Sequence, residues 1–160
     1  MAMKLAKYFI ERWYRCRVSI GMYLLWPFSR LFKWISQIRR AWLCSRQEDL
    51  GIPVIVVGNI TVGGTGKTPC VLALTDFLVQ KGFRPVILTR GYRGQRRDFP
   101  YQVSLDDQAS DVGDEALLLA MRAHVPVIVD PVRVRGAQYA VSLGAQLIIS
   151  DDGLQHYALP

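Results

Sequence analysis

Twelve residues constrain this chain more than any others: GNITVGGTGKTP, Gly58 to Pro69. The apolar run PVIVV precedes them, and PCVLALTDFLVQKG, with helical character, follows. Gly63, Gly64 and Gly66 let the backbone approach phosphate oxygens closely, N–H groups turned inward. Lys67 then reaches toward β- and γ-phosphates, and Thr68 offers a hydroxyl to magnesium. The dipole and free N–H groups of the following helix start add to anion binding. Thr61, Val62 and Thr65 complete the loop. The general pattern, Gly-x-x-x-x-Gly-Lys-Ser/Thr, has glycine where this chain has Thr61, so that backbone position need not be glycine. A lysine after Gly-rich turn residues at a strand-to-helix junction is hard to explain by packing alone, so the loop is read as a nucleotide-phosphate site.

The rest of residues 51–160 repeats the strand-then-helix order. PVIVVGN, PVILTRGY, VPVIVD and AQLIISDDG read as strands; PCVLALTDFLVQKG, DVGDEALLLAMRAH and VRVRGAQYAVSLG read as helices, closed by Gly82 and Gly144 in the first and last. The second opens at Asp111 or Gly113. Strands apolar on both faces, alternating with helices, predict an α/β fold: a P-loop NTPase-like parallel sheet with helices on both faces. Residues 92–110 are the least regular stretch and read as a loop with a short strand.

Residues 1–50 differ in character. They hold ten Lys/Arg against three acids, while residues 51–160 balance, so the whole net charge of +7 lies before the phosphate loop. That excludes a basic nucleic-acid groove across the globular part and points the N-terminus toward an anionic surface. Leu5, Phe9, Trp13, Cys16, Ile20 and Leu24 form one helical stripe; after Pro27, Leu31, Trp34, Ile35, Ile38 and Trp42 form a second. All four tryptophans lie here. The uncharged run Val18–Ser29 is too short to span a bilayer, which takes about 20 apolar residues. Tryptophan on one face and arginine on the other suit helices lying in a membrane interface, although two amphipathic helices packed on the domain would read alike. Cys16, Cys44 and Cys70 lack metal spacing and read as reduced thiols.

Further site candidates stand at strand ends. LIISDDG resembles a strand ending in magnesium-holding acids, Asp151 and Asp152. Asp114 and Glu115, at a helix start, could orient or deprotonate an attacking hydroxyl, or simply favour the helix dipole. Arg90 in TRGYRG, and Arg133 and Arg135 after VPVIVD, are possible phosphate or substrate contacts; Arg96 and Arg97 read as solvated. His156, in DDGLQHY, is as readily structural as functional.

Together these stretches resemble one family, the tetraacyldisaccharide 4'-kinases of lipid A biosynthesis. The matching pieces are PVIVVGNITVGGTGKTP, ILTRGYRG, VGDEALLLA, VPVIVD with VR after it, and IISDDGLQHYAL, in order over residues 53–159. The basic, Trp-rich start resembles the family's membrane-proximal segment. In that family Thr or Ser before VGG is usual, and glycine more often stands at the position of Arg93. The resemblance implies a peripheral enzyme at the cytoplasmic face of the bacterial inner membrane. It implies transfer of the ATP γ-phosphate to the 4'-hydroxyl of an acylated disaccharide lipid 1-phosphate, giving lipid IVA. Lys67 and Thr68 would serve ATP and Mg2+, with Asp151 and Asp152 at the metal and catalytic site. Asp114 would orient the sugar hydroxyl or accept its proton, assisted by Glu115, and Arg90, Gln155 and His156 would line the site. Residues 1–50 would form membrane-proximal helices and residues 51–160 the first part of the kinase domain. Family members are much longer, so the resemblance implies a chain equivalent to their N-terminal half, able to bind nucleotide but poorly active alone.

Two other classes remain open from the residues. Another P-loop NTPase is one, although a guanine-reading Asn/Thr-Lys-x-Asp motif and a Cys/His metal cluster are both absent from the sequence. A membrane-surface scaffold with an inert nucleotide loop is the other.

Overall fold

The computed structural model describes residues 20–44, 47, 49–58 and 66–151, with only the backbone for 20–24. The chain divides into two compact units, Met1–Trp42 and Leu43–Pro160. The stripe from Leu5 to Cys16 lies outside the described residues. What is described of the first unit belongs to α1, Ile20–Cys44. The expected break at Pro27 does not occur: α1 runs straight through it. Proline in a helix interior costs about 3 kcal/mol, but the damage is one missing N–H and one crowded carbonyl. Leucine, arginine, lysine and glutamine around it continue the ladder. Trp26, Phe28, Phe32 and Trp34 are more than half exposed, and Arg30 stacks 5.3 Å from the Trp26 ring centre. Among the described residues no helix is long and apolar enough to cross a membrane.

The second unit is the α/β fold the alternation predicts. Its strands are β1 (Val54–Val57), β2 (Pro85–Thr89), β3 (Tyr101–Gln102), β4 (Val127–Val129) and β5 (Leu147–Asp151). Its helices are α2 (Lys67–Gln80), α3 (Ala109–Val112), α4 (Asp114–Ala123) and α5 (Arg133–Ser142). The strands form one sheet in the order β1-β5-β2-β4-β3. All neighbours are parallel except β3, which adds antiparallel to β4 at one edge. Chain order and sheet order therefore differ: the last strand lies between the first two.

Strand alternation sorts the core into two layers. Ile87, Val127, Val129, Leu147 and Ile149 face one way, against Val71 of α2 and Ala116, Leu119 and Ala123 of α4. Val86, Leu88, Ile128 and Ile148 face the other way, against Ala137 and Ala140 of α5. Both faces are thus covered, and β2, β4 and β5 are buried throughout. That is why these strands read as apolar runs, polar only at the C-terminal ends of β2 and β5. The expected stops at Gly82 and Gly144 hold. Beyond α2, Gly82 N–H bonds Val79 O at 2.9 Å and Phe83 N–H bonds Leu78 O at 3.1 Å. Beyond α5, Gly144 N–H bonds Val141 O at 2.9 Å and Ala145 N–H bonds Ala140 O at 3.2 Å. Both pairs are the Schellman closure that turns a helix back into a strand.

The layered core sets an expected ranking. Ile149→Ala, at a fully buried position of a central strand, lowers unfolding stability by about 2–5 kcal/mol in urea titration. Val56→Ala, on β1 at the sheet edge and 37% exposed, costs a fraction of that.

Candidate functional site

Because β1, β2, β4 and β5 run parallel, their C-terminal ends meet on one edge of the sheet, where open α/β sheets carry their ligands. Val57 of β1 is in register with Asp151 of β5. The chain that enters the phosphate loop therefore leaves the sheet beside the strand acid, ninety-four positions away in sequence. The loop's descent into α2 is described from Gly66, which precedes the helix at φ 76. Lys67 and Thr68 open α2, half-buried, and α2 packs over β1, β2 and β5. Thr61, Val62, Gly63, Gly64 and Thr65 lie outside the described residues, as do Asp152, Gln155 and His156. Asp151 is 3% exposed.

The TRGYRG and VGDE stretches, unrelated in sequence, form one packed corner. After β2 the chain turns with Gly94 N–H on Gly91 O at 3.0 Å. Gln95 N–H then bonds Ser110 O and Arg96 N–H bonds Asp111 O, each at 3.0 Å. Backbone meets backbone here. A Cβ on Gly94 would stand 2.6 Å from Asp111 O, and one on Gly113 2.5 Å from Tyr92 O. Gly113, at φ 94, also separates α3 from α4, so of the two openings expected for this helix Gly113 is the one used; Asp111 belongs to α3. Asp114 and Glu115 follow it directly, exposed in the first turn of α4. Arg90, exposed, and Tyr92, 66% exposed, flank the same corner. Arg93 takes φ 66, the left-handed region that favours glycine.

Arg133 and Arg135 do not stand free for phosphate. Arg133 is 3% exposed and donates from Nη2 to the main-chain oxygen of Asp151 at 2.8 Å. Arg135 grips Asp130 with two donors, Nε to Oδ2 at 2.7 Å and Nη2 to Oδ1 at 2.9 Å. Those hydrogen bonds hold its guanidinium above the ordinary arginine pKa. Arg96 is not solvated either: it lies 3.5 Å from the Tyr101 ring centre and pairs with Asp98 at 3.3 Å and Asp107 at 3.7 Å. Tyr101 donates to Asp107 Oδ1 at 2.9 Å, and burial, then that bond, pushes its hydroxyl pKa up. Sequence reasoning missed Asp130. It is fully buried at the end of β4 and accepts from Val132 N–H at 2.7 Å as well as from Arg135. The available signal was an acid closing the apolar run VPVIVD, the same pattern that drew attention to Asp151.

A Gly-Lys-Thr helix start after one parallel strand, and an acid ending the strand beside it, define the class: an α/β protein of the P-loop kinase type. The chain belongs to the tetraacyldisaccharide-1-P 4'-kinase (LpxK) family, whose model matches residues 22–160. A tetraacyldisaccharide 4'-kinase of Pseudoalteromonas atlantica is 50% identical over 137 residues, 83% of this chain and 45% of that protein. One from Alkalilimnicola ehrlichii is 44% identical over 153 residues, 92% of this chain and 46% of that protein. A crystal structure of LpxK from Aquifex aeolicus in complex with ATP matches with a TM-score of 0.72 at 36% identity, over 85% of this chain and 45% of that one. The chain spans about half the length of the relatives it matches.

The glycine corner is testable by stability. Gly113→Ala combines left-handed strain with a clash against Tyr92 O and loses about 2–4 kcal/mol in urea unfolding. Arg93→Gly relieves a strained φ but loosens the unfolded chain, and changes stability by less than about 1 kcal/mol.

Proposed function

We propose that this chain carries the nucleotide-binding half of an ATP-dependent kinase. The kinase phosphorylates the 4'-hydroxyl of tetraacyldisaccharide 1-phosphate, giving lipid IVA in lipid A biosynthesis. The observation that carries the reading is the register of Val57 with Asp151, in a chain of this family, which sets the phosphate-loop strand beside the strand acid. Residues 61–66 cradle the phosphates, Lys67 neutralises the β- and γ-oxygens, and Thr68 with Asp151 and Asp152 provides hard oxygen donors. That donor set fits Mg2+, which takes one or two carboxylates with substrate phosphates and waters rather than a full protein cage. When bound, Mg2+ would neutralise charge developing on the phosphate oxygens.

Phosphoryl transfer asks the protein for position and electrostatics more than for covalent chemistry. Asp114, at the start of α4, orients the sugar hydroxyl and takes its proton as the oxygen bonds to the γ-phosphorus. The bond from that phosphorus to the β–γ bridging oxygen breaks, and ADP leaves. Glu115 assists, and Arg90, Gln155 and His156 line the acceptor side. Residues 51–160 form this part of the kinase domain. Residues 1–50 place the protein at the cytoplasmic face of the inner membrane as a peripheral arm, where the acylated acceptor lies. The exposed tryptophans and phenylalanines of α1, with Arg30, Lys33, Arg39 and Arg40 among them, support an interfacial helix. The basic excess supports attraction to anionic lipid, about 1 kcal/mol per residue near the surface.

Three outcomes are expected. Lys67→Ala weakens ATP binding at least about tenfold by calorimetry, the loss of one charge-assisted contact; unchanged binding sinks the nucleotide reading. The chain alone turns over ATP and the disaccharide lipid far more slowly than a relative of full length; comparable turnover refutes the half-enzyme reading. The chain floats with anionic vesicles and detaches as salt rises; no flotation removes the membrane arm.

A further inference from the structure

The arginine that opens α5 occupies a costly place for a charged side chain. Arg133 is 3% exposed. A buried guanidinium is hard to desolvate, and a methionine or leucine would fill the same space without that penalty. What the guanidinium adds is direction. Its Nη2 bonds one main-chain oxygen, that of Asp151, at 2.8 Å across eighteen residues of sequence.

That oxygen is a sensitive one. The ladder from β5 to β2 ends at the Leu88–Ser150 pair, while the ladder to β1 continues to Val57–Asp151. At Asp151 the strand has lost one of its two neighbours. Because a peptide unit is planar, holding the Asp151 oxygen holds the whole plane that follows. That plane sets how the strand acid leaves the sheet.

Arg133 is held in turn. Asp130, at the end of β4, takes the N–H of Val132 at 2.7 Å and both donors of Arg135 at 2.7 and 2.9 Å. These bonds pin the first turn of α5. Gly136 lets that turn press onto the sheet: a Cβ there would meet Leu88 Cδ1 at 2.6 Å and Asp130 Cβ at 2.9 Å. The end of β4, the start of α5 and the end of β5 make one rigid bracket.

We infer that Arg133 is a positioning residue for the magnesium–nucleotide complex: through the Asp151 main-chain oxygen it aims the strand-end acid, and the Asp130–Arg135 pair clamps it in place. The inference rests on the reading of Asp151 as a magnesium-holding acid. Acting through the Asp151 main-chain oxygen, Arg133 exerts its effect on the part of nucleotide affinity that magnesium supplies.

The experiment measures ATP affinity of the whole chain by calorimetry, once with Mg2+ and once with EDTA, with circular dichroism as the folding control. Arg133→Met keeps the apolar stem and removes the donor. It is expected to weaken Mg2+-dependent binding about tenfold, raise the Mg2+ concentration needed for half-saturation, and change binding in EDTA less than about twofold. Arg133→Lys, which keeps a charged donor, recovers part of the loss. If Arg133→Met does not fold, Arg135→Met releases the clamp from a side chain that is 46% exposed, and the same selective loss is expected at about threefold. A folded Arg133→Met with wild-type Mg2+ dependence overturns the inference. So does an equal fall in both conditions, which is what loosened structure alone would give, or an Arg135→Met variant with unchanged Mg2+ dependence where Arg133→Met is unfolded. If the wild type binds no ATP in either condition, the nucleotide reading fails first and the bracket inference with it. Binding by the wild type with indifferent variants defeats the bracket alone.

Discussion

Everything at the sheet's C-terminal edge depends on where β5 inserts. It pairs with β1 on one side and β2 on the other, and both of its faces are buried by helices. A parallel strand whose apolar residues Leu147, Ile148 and Ile149 are buried on both faces has no stable place except the middle of such a sheet. Its burial therefore drives the last described strand back between the first two. The consequence is chemical as well as structural: the acid that ends β5 arrives opposite Val57, where the chain departs for the phosphate loop.

Two devices then sharpen that edge, and both use close approach rather than bulk. At the corner after β2, Gly91, Gly94 and Gly113 let two backbone segments bond directly, which delivers Asp114 and Glu115 to the same end of the sheet. At the end of β4, the buried carboxylate of Asp130 gathers three donors. An unpaired buried carboxylate would be unstable there; satisfied in this way, it turns a loop into a fixed support. Rigid supports of this kind suit phosphoryl transfer, in which misplacement of reacting groups by about 1 Å is expensive.

Much of this was legible in the sequence because it is local. Apolar runs bounded by turn residues located β1, β2, β4 and β5, and Gly82 and Gly144 located two helix ends. The loop motif located Lys67 and Thr68 at a helix start. Pro27 misled, because a proline's local penalty does not by itself end a helix whose other residues favour it. The arginines misled for a different reason. Arg96, Arg133 and Arg135 read as solvated or phosphate-seeking, yet each is engaged by the protein itself. A charge's partner is set by three-dimensional proximity, and Arg133 finds its partner eighteen positions away.

The sequence by itself determined the kinds of element, the Gly-Lys-Thr start of α2 and the separation of a basic, aromatic N-terminal segment from a charge-balanced α/β unit. These follow from periodicity, turn chemistry and composition, all of which act over a few residues. Only the tertiary structure decided the strand order, the neighbourhood of Val57 and Asp151, the joining of TRGYRG to VGDE, and the bracket built on Asp130. Those depend on which buried surfaces meet and which donors reach which acceptors, and such contacts are fixed by the packing of the whole sheet rather than by any one stretch of chain.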